Sequence, residues 1–203
     1  MKEQRRRKPR EYRMNRRREL VDLTRQRITE AAMRLHTTAG PAQASISAIA
    51  DEAGVTRLTL YRHFASKDDL FQACMTHWAG LHPPPSPEAW RAIPTFENRL
   101  RVGLRELYEW FGANGEELYP VYRDVVHAPE STRHARQAAN DEMTGALLTD
   151  FRFSAAARRR LRALVGHVIG FWTWRSLVVE QGLSIREASG LAADVVLAVA
   201  TDA

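Results

Sequence analysis

The sequence predicts an all-α fold of about nine helices, a small N-terminal unit followed by a larger one. Three observations carry that expectation. Apolar residues recur at i, i+3, i+4 and i+7 along most of the chain, and no stretch keeps the period-two alternation of a strand. Ser or Thr stands before several of these runs, where a helix N-cap belongs. Gly and Pro fall between runs, at Gly40-Pro41, Gly54 and Pro83-Pro84-Pro85. With 203 residues, 44% of them hydrophobic, the chain can bury a sizeable core, which excludes wholesale disorder.

Residues 1–19 form a basic arm. They hold ten Lys/Arg against three Glu, a local charge of +7, so the remaining chain is near neutral although the total is +6. Little apolar content leaves this arm disordered on its own, up to the first helix. Such a charge suits an anionic partner, read here as a nucleic acid, with Arg5, Arg6 and Arg7 among the expected DNA-binding residues. The alternatives are a solvated tail or translation from Met14.

Val21, Ile28, Ala31, Ala32 and Leu35 make the apolar stripe of a first helix that ends near Gly40-Pro41. Ser45 caps a second, short helix whose buried face is Ile46, Ile49, Ala50 and Ala53, and Gly54 ends it in a tight turn. Thr56 caps a third that runs to about Phe64. Ser66 caps a fourth, with Asp68 and Asp69 in the first turn, where the helix dipole favours carboxylates. It fades near Gly80. Longer helices are expected over Pro94 to about Asn114, Glu116 to Val126, Pro129 to about Leu148, and Ser154 to about Gln181. The last, Ser184 to about Thr201, opens with a capping box of Ser184 and Glu187. The boundaries are therefore arm 1–19, N-terminal unit 20–75 and C-terminal unit 76–203.

On a wheel of about 100° per residue, Leu60 and Phe64 fall on the buried side of the third helix. Leu58, Thr59 and Arg62 fall opposite. An exposed leucine beside a guanidinium and a hydroxyl matches what a DNA major groove offers: thymine methyls, guanine acceptors and phosphates. Arg57 joins that set, and Tyr61 and His63 flank it with polar tips suited to phosphate. Lys67 adds a charge at the next helix N-terminus. Two short helices joined by a Gly turn make a helix-turn-helix.

The segments RQRITEAAMRLHTTAG and SISAIADEAGVTRLTLYRHFASKDDL resemble the N-terminal domain of the tetracycline-repressor (TetR) family of bacterial regulators, over roughly residues 25 to 75. The most specific portion is AGVTRLTLYRHFASKDDL. The resemblance implies DNA contacts at Thr56, Arg57, Leu58, Thr59, Tyr61, Arg62 and His63, and a phosphate contact at Lys67. Ser45 and Ser47, at the start of the second helix, are counted with them. The chain departs from the family pattern in two places. Ser47 stands where a basic residue is common, and Leu58 where a small one is, so the base preference is expected to be this chain's own.

The same resemblance implies an all-α, larger C-terminal domain for ligand binding and dimerisation. The partners it implies are a palindromic double-stranded operator, a second copy paired through the last two helices, and a small-molecule effector. LRALVGHVIGFWTWRSLVV independently carries too much apolar surface for one exposed amphipathic helix. The last helix adds Ile185, Ala188, Leu191, Ala192, Val195, Val196 and Val199. Tyr108, Trp110, Phe111, Tyr122, Phe171, Trp172 and Trp174 are the aromatic candidates for contact with an apolar or aromatic ligand, and His127 is a polar one. At helical spacing each is also an ordinary core residue.

Other classes find little support. Cys74, His77 and His82 cluster in sequence, but His82 lies beyond Gly80 and a fourth ligand is missing, so no metal site is expected. There is no Gly-rich phosphate loop, nucleophile elbow or HExxH, and an enzyme is not expected. A lone Cys74 forms no internal disulfide and fits a reducing cytoplasm, with association to the nucleoid through DNA. No secretory signal or membrane span is expected. The expected function is a ligand-responsive repressor without a cofactor. The alternative is a dimeric DNA-binding or architectural protein that has no effector.

Overall fold

The structure, a computed structural model, describes residues 7–149 and 154–201, the side chains of 7–11 and 13 excepted. Among the described residues there are ten α-helices and no strand. The first, α1, spans Arg7–Thr38. It corrects the expected disordered arm: residues 7–19 are the opening turns of this helix, and Arg5 and Arg6 lie outside the described residues. Nothing after Pro9 breaks a helix there, and Pro9 sits in the first turn, where its missing N–H is no loss. Val21, expected in the buried stripe, is exposed, because that part of α1 extends beyond the helices that cover Ile28.

Three short helices pack on the second half of α1. They are α2 (Ile46–Glu52), α3 (Arg57–His63) and α4 (Lys67–Leu81). The expected caps are in place. Ser45 Oγ accepts from the Ala48 amide at 3.1 Å, Thr56 Oγ1 from Thr59 at 3.1 Å, and Ser66 Oγ from Asp69 at 3.0 Å. Gly54 turns the chain between α2 and α3 at φ +63°, the left-handed region that glycine enters without strain. Ile28, Ala31, Ala32, Ile49, Leu60, Phe64 and Leu70 close into one apolar cluster.

A second cluster fills the remainder, around α6 (Phe96–Arg123). Against it lie α5 (Pro87–Arg91), α7 (Glu130–Leu147), α8 (Ala155–Val168), α9 (Phe171–Trp174) and α10 (Ile185–Thr201). The two helices expected over 94–114 and 116–126 are thus one. Gly115, which lies between the two expected spans, serves packing: a Cβ there would collide with the Trp174 ring. The single helix expected over 154–181 is broken instead. Gly170 turns extended and caps α9, and Arg175–Glu180 continues α9 as a π-helical segment. The break lets Phe171 and Trp174 enter the core while Trp172 stays exposed. The capping box holds: the Ser184 amide donates to Glu187 Oε2 at 2.9 Å and the Glu187 amide to Ser184 Oγ at 3.2 Å.

One polar clasp joins the two clusters. The Arg123 guanidinium donates to both oxygens of Asp124, at 2.7 and 3.0 Å, and to the Ala39 carbonyl at 2.9 Å. Asp124 Oδ2 in turn accepts from the Ala42 amide at 3.2 Å. Gly40 lies between, at φ +95°, and a Cβ there would collide with Asp124 Oδ2. Arg123, aided by the Ala42 amide, holds the Asp124 carboxyl below the usual carboxylate range, against the opposing effect of burial.

Candidate nucleic-acid interface and effector cavity

The α3 surface is built from the inside outward. Leu60 is fully buried and Phe64 nearly so, which fixes the rotation of the helix. That rotation leaves Leu58 64% and Tyr61 46% exposed, with Arg57 and Arg62 exposed beside them. An exposed leucine of that degree, in a helix whose other leucine is fully buried, has no folding role. Thr59 is half-buried, and its hydroxyl is shared with Thr56 Oγ1 at 3.0 Å. His63 is half-buried, and its carbonyl accepts from Arg25, whose guanidinium also stacks on Phe64 at 4.1 Å. Arg25 and Arg27, which bonds the Ala53 carbonyl, therefore act as struts that hold α2 and α3 on α1. Sequence reasoning passed over both, since their partners are backbone carbonyls far along the chain. Ser47 and Lys67 are exposed at the starts of α2 and α4, and Ser45 is exposed but engaged as a cap. The side chain of Arg7 lies outside the described residues.

The Cys74, His77 and His82 cluster is not brought together. Cys74 Sγ lies 3.2 Å from His36 Nδ1 and donates to the Phe71 carbonyl at 3.1 Å, while His82 stacks on Trp78. Burial pushes the Cys74 thiol up to about 12 and the His36 imidazole down to about 4. Among the described residues, no group of three or more His, Cys, Asp or Glu is arranged to hold a metal ion, and no helix is long and apolar enough to cross a membrane.

Between α6, α7, α9 and the Pro84-Pro85 loop lies a cavity of about 550 Å³, a size typical of small-molecule sites. Trp110, Phe111, Tyr122, Phe171 and Trp172 line it. Tyr122 stacks on Phe171 with centroids 4.3 Å apart, and the Arg136 guanidinium lies over the outer face of Tyr122 at 4.7 Å. Burial raises the Tyr122 phenol above its ordinary range, against the opposing effect of Arg136. A second chamber of about 340 Å³, reaching Met75, Trp78 and Thr132, shares Trp110, Tyr122, Arg133 and Arg136 with the first. The remaining candidates lie elsewhere. Tyr108 is buried and donates to the Val168 carbonyl at 2.8 Å. Trp174 packs under Gly115, and His127 lines a small recess with His36 and Lys67. Arg133 and Arg136 went unread in the sequence, where α7 looks like an ordinary solvated helix.

Residues 28–74 match the family model of bacterial regulatory proteins of the tetR family. The chain is 48% identical over 109 residues to the HTH-type transcriptional regulator AcrR of Shigella flexneri; the match covers 54% of this chain and 41%, less than half, of that protein. Two solved structures share the fold. A TetR-like transcriptional regulator from Rhodococcus sp. RHA1 superposes with a TM-score of 0.58 at 20% identity, over 86% of this chain and 93% of that one. The multidrug binding protein EbrR, complexed with imidazole, superposes with a TM-score of 0.54 at 26% identity, again over 86% and 93%. The helix-turn-helix, the matched segment and the shared all-α architecture agree: residues 28–74 of the chain carry the N-terminal domain of the tetR family of bacterial regulatory proteins.

Proposed function

We propose that the chain is a ligand-responsive, sequence-specific transcription regulator, a repressor released from a palindromic operator by a small apolar or aromatic effector. The observation that carries this reading is the α3 face, with Leu58 exposed between Arg57 and Arg62 on a helix held rigidly from behind. In this reading Leu58 and Arg57 touch bases, Thr56, Tyr61, His63 and Lys67 position the helix on phosphates, and Thr59 and Arg62 do either. Residues 20–75 form the DNA-binding unit and 76–203 the effector and dimerisation unit. Support for an effector comes from the aromatic cavity and from EbrR, a neighbour that is a multidrug binding protein.

Pairing uses the last helices. α10 buries Ala188, Ala192 and Val196 inward yet leaves Leu191 and Val195 exposed at i, i+4, with Val179 exposed nearby in sequence. Such a stripe suits a second copy of itself. A two-fold then sets two α3 helices into successive major grooves, about 34–36 Å apart. Repression follows from occupancy of the operator, and release follows if the effector binds the DNA-free form better.

The test is an operator selection with the wild type, Leu58→Ala, Arg57→Ala and Tyr61→Phe. Leu58→Ala and Arg57→Ala should shift the selected sequence, with about 1–3 kcal/mol at stake for a good base contact. Tyr61→Phe should weaken all sequences alike. The same selected site from all four proteins refutes the assignment of base-reading residues.

A further inference from the structure

We propose that the effector is an aromatic carboxylate: its ring enters the box of Trp110, Tyr122, Phe171 and Trp172, and its anionic end is met by Arg133 and Arg136. This rests on reading the cavity as the effector site and adds to it the charge of the ligand.

The walls alone would accept any flat apolar molecule, so the polar groups decide. Arg133 and Arg136 lie three residues apart on one face of α7 and line both chambers. Among the described residues neither has a carboxylate partner; the contact of Arg136 is with the Tyr122 ring at 4.7 Å. The one acidic residue that lines the larger chamber, Glu142, already faces Arg91 at 3.6 Å, and no acidic residue lines the smaller one. The electrostatic character of the mouth is therefore positive.

The two indole donors beside the arginines are spent within the protein. Trp110 Nε1 donates to the His82 carbonyl at 3.2 Å, and Trp78 Nε1 to Glu117 Oε2 at 2.6 Å. Thr132 Oγ1, in the smaller chamber, is buried without a partner and is free to donate. The cationic groups a ligand meets are thus two guanidiniums, beside the neutral amides of Gln137 and Asn140 in the larger chamber and the spare Thr132 hydroxyl in the smaller. A guanidinium presents a planar fork that fits a carboxylate with two parallel hydrogen bonds. A cationic ligand would be repelled at the same place, and a neutral one would cover the guanidiniums and leave their donors unmatched. Both arginines are exposed, so the preference is screened and should shrink as salt rises.

Three bicyclic probes of nearly equal shape separate the possibilities: 2-naphthoate, 2-naphthamide and 2-naphthylmethylammonium. Each is titrated calorimetrically into the full chain at low ionic strength and then scored for release of the protein from its operator. The naphthoate should bind at least tenfold more tightly than the amide, with the ammonium weakest. It should also be the most effective at release. In the double variant R133Q/R136Q the preference for the naphthoate over the amide should disappear; R136K should retain most of the preference. Equal binding of all three, tightest binding of the ammonium, or a preference that survives R133Q/R136Q overturns the anion inference yet leaves the cavity as an effector site. Failure of all three to bind or to release the operator overturns the cavity reading and the inference with it.

Discussion

His36 shows how burial of one side chain sets a pH limit. Its ring packs 4.6 Å from Phe71 and meets the Cys74 sulfur, which is itself held as a thiol, so nothing nearby repays a positive charge. In the unfolded chain it titrates near 6.5; in the folded chain it resists protonation down to about 4. Because the folded pKa is the lower one, the unfolded state binds the extra proton, and stability falls as pH drops from 6.5 towards 4 and levels off below that. The full difference corresponds to about 3 kcal/mol. His36→Gln should remove this component. Urea unfolding of both chains at several pH values from 7 to 4 measures it as the difference between them, which cancels the carboxylates they share. Equal slopes would mean that the imidazole is protonated in place. At this scale the sequence was legible where chemistry is local. Ser45, Thr56, Ser66 and Ser184 announce their caps because donor and acceptor lie within three residues. Arg25, Arg27 and Arg99 do not: their guanidiniums serve carbonyls at His63, Ala53 and both Ile93 and Thr149, distances that no local pattern encodes.

Among elements, α1 differs most from expectation, and the difference changes how its charge can act. A helix about 10–12 Å across cannot follow a minor groove about 6 Å wide, as a flexible arm could. Arg16, Arg17 and Arg18 are exposed on successive positions of this rod and so point over a broad sector, suited to phosphates on either side. Deleting residues 2–16 should lower operator affinity and flatten its salt dependence by about 0.9 for each phosphate that is no longer neutralised. The selected operator should stay the same, and the melting temperature should barely move, because residues 12 and 14–16, whose side chains are the described ones in this stretch, are all exposed. Binding isotherms at several salt concentrations decide it, and an unchanged slope would make the extension a solvated helix only. Helix lengths elsewhere were misread for a common reason. Gly115 and Gly170 look alike in sequence, yet one is a packing notch inside α6 and the other a true break before α9. Only the Trp174 ring, which approaches the first and follows the second, tells them apart. The short α5 escaped because its five residues are too few to show a period.

The whole molecule is organised so that the cavity and the helix-turn-helix meet through three consecutive residues of the chain. Tyr122 lines both chambers; Arg123 and Asp124, directly after it, grip the turn between α1 and α2. A ligand that shifts Tyr122 therefore pulls on the backbone that sets the position of α2 and, behind it, α3. Asp124→Asn and Arg123→Ala should leave effector affinity for the free protein within a few-fold but reduce the factor by which the effector weakens operator binding. Coupling energies of this kind are typically about 1–3 kcal/mol, so most of a roughly 5- to 150-fold effect is at stake. Effector titrations with and without operator DNA measure it, and an unchanged coupling factor would place the transmission elsewhere.

The clasp also bears on transplantation. A chimera that joins the first 75 residues to a foreign sensor would leave the Ala39 carbonyl and the Ala42 amide without Arg123 and Asp124, and would oppose Gly40, at φ +95°, with whatever side chain the new sensor presents there. The natural seam of this protein is therefore a matched pair of edges: a working graft has to carry residues 39–42 and 123–124 together, although more than eighty positions separate them in the chain.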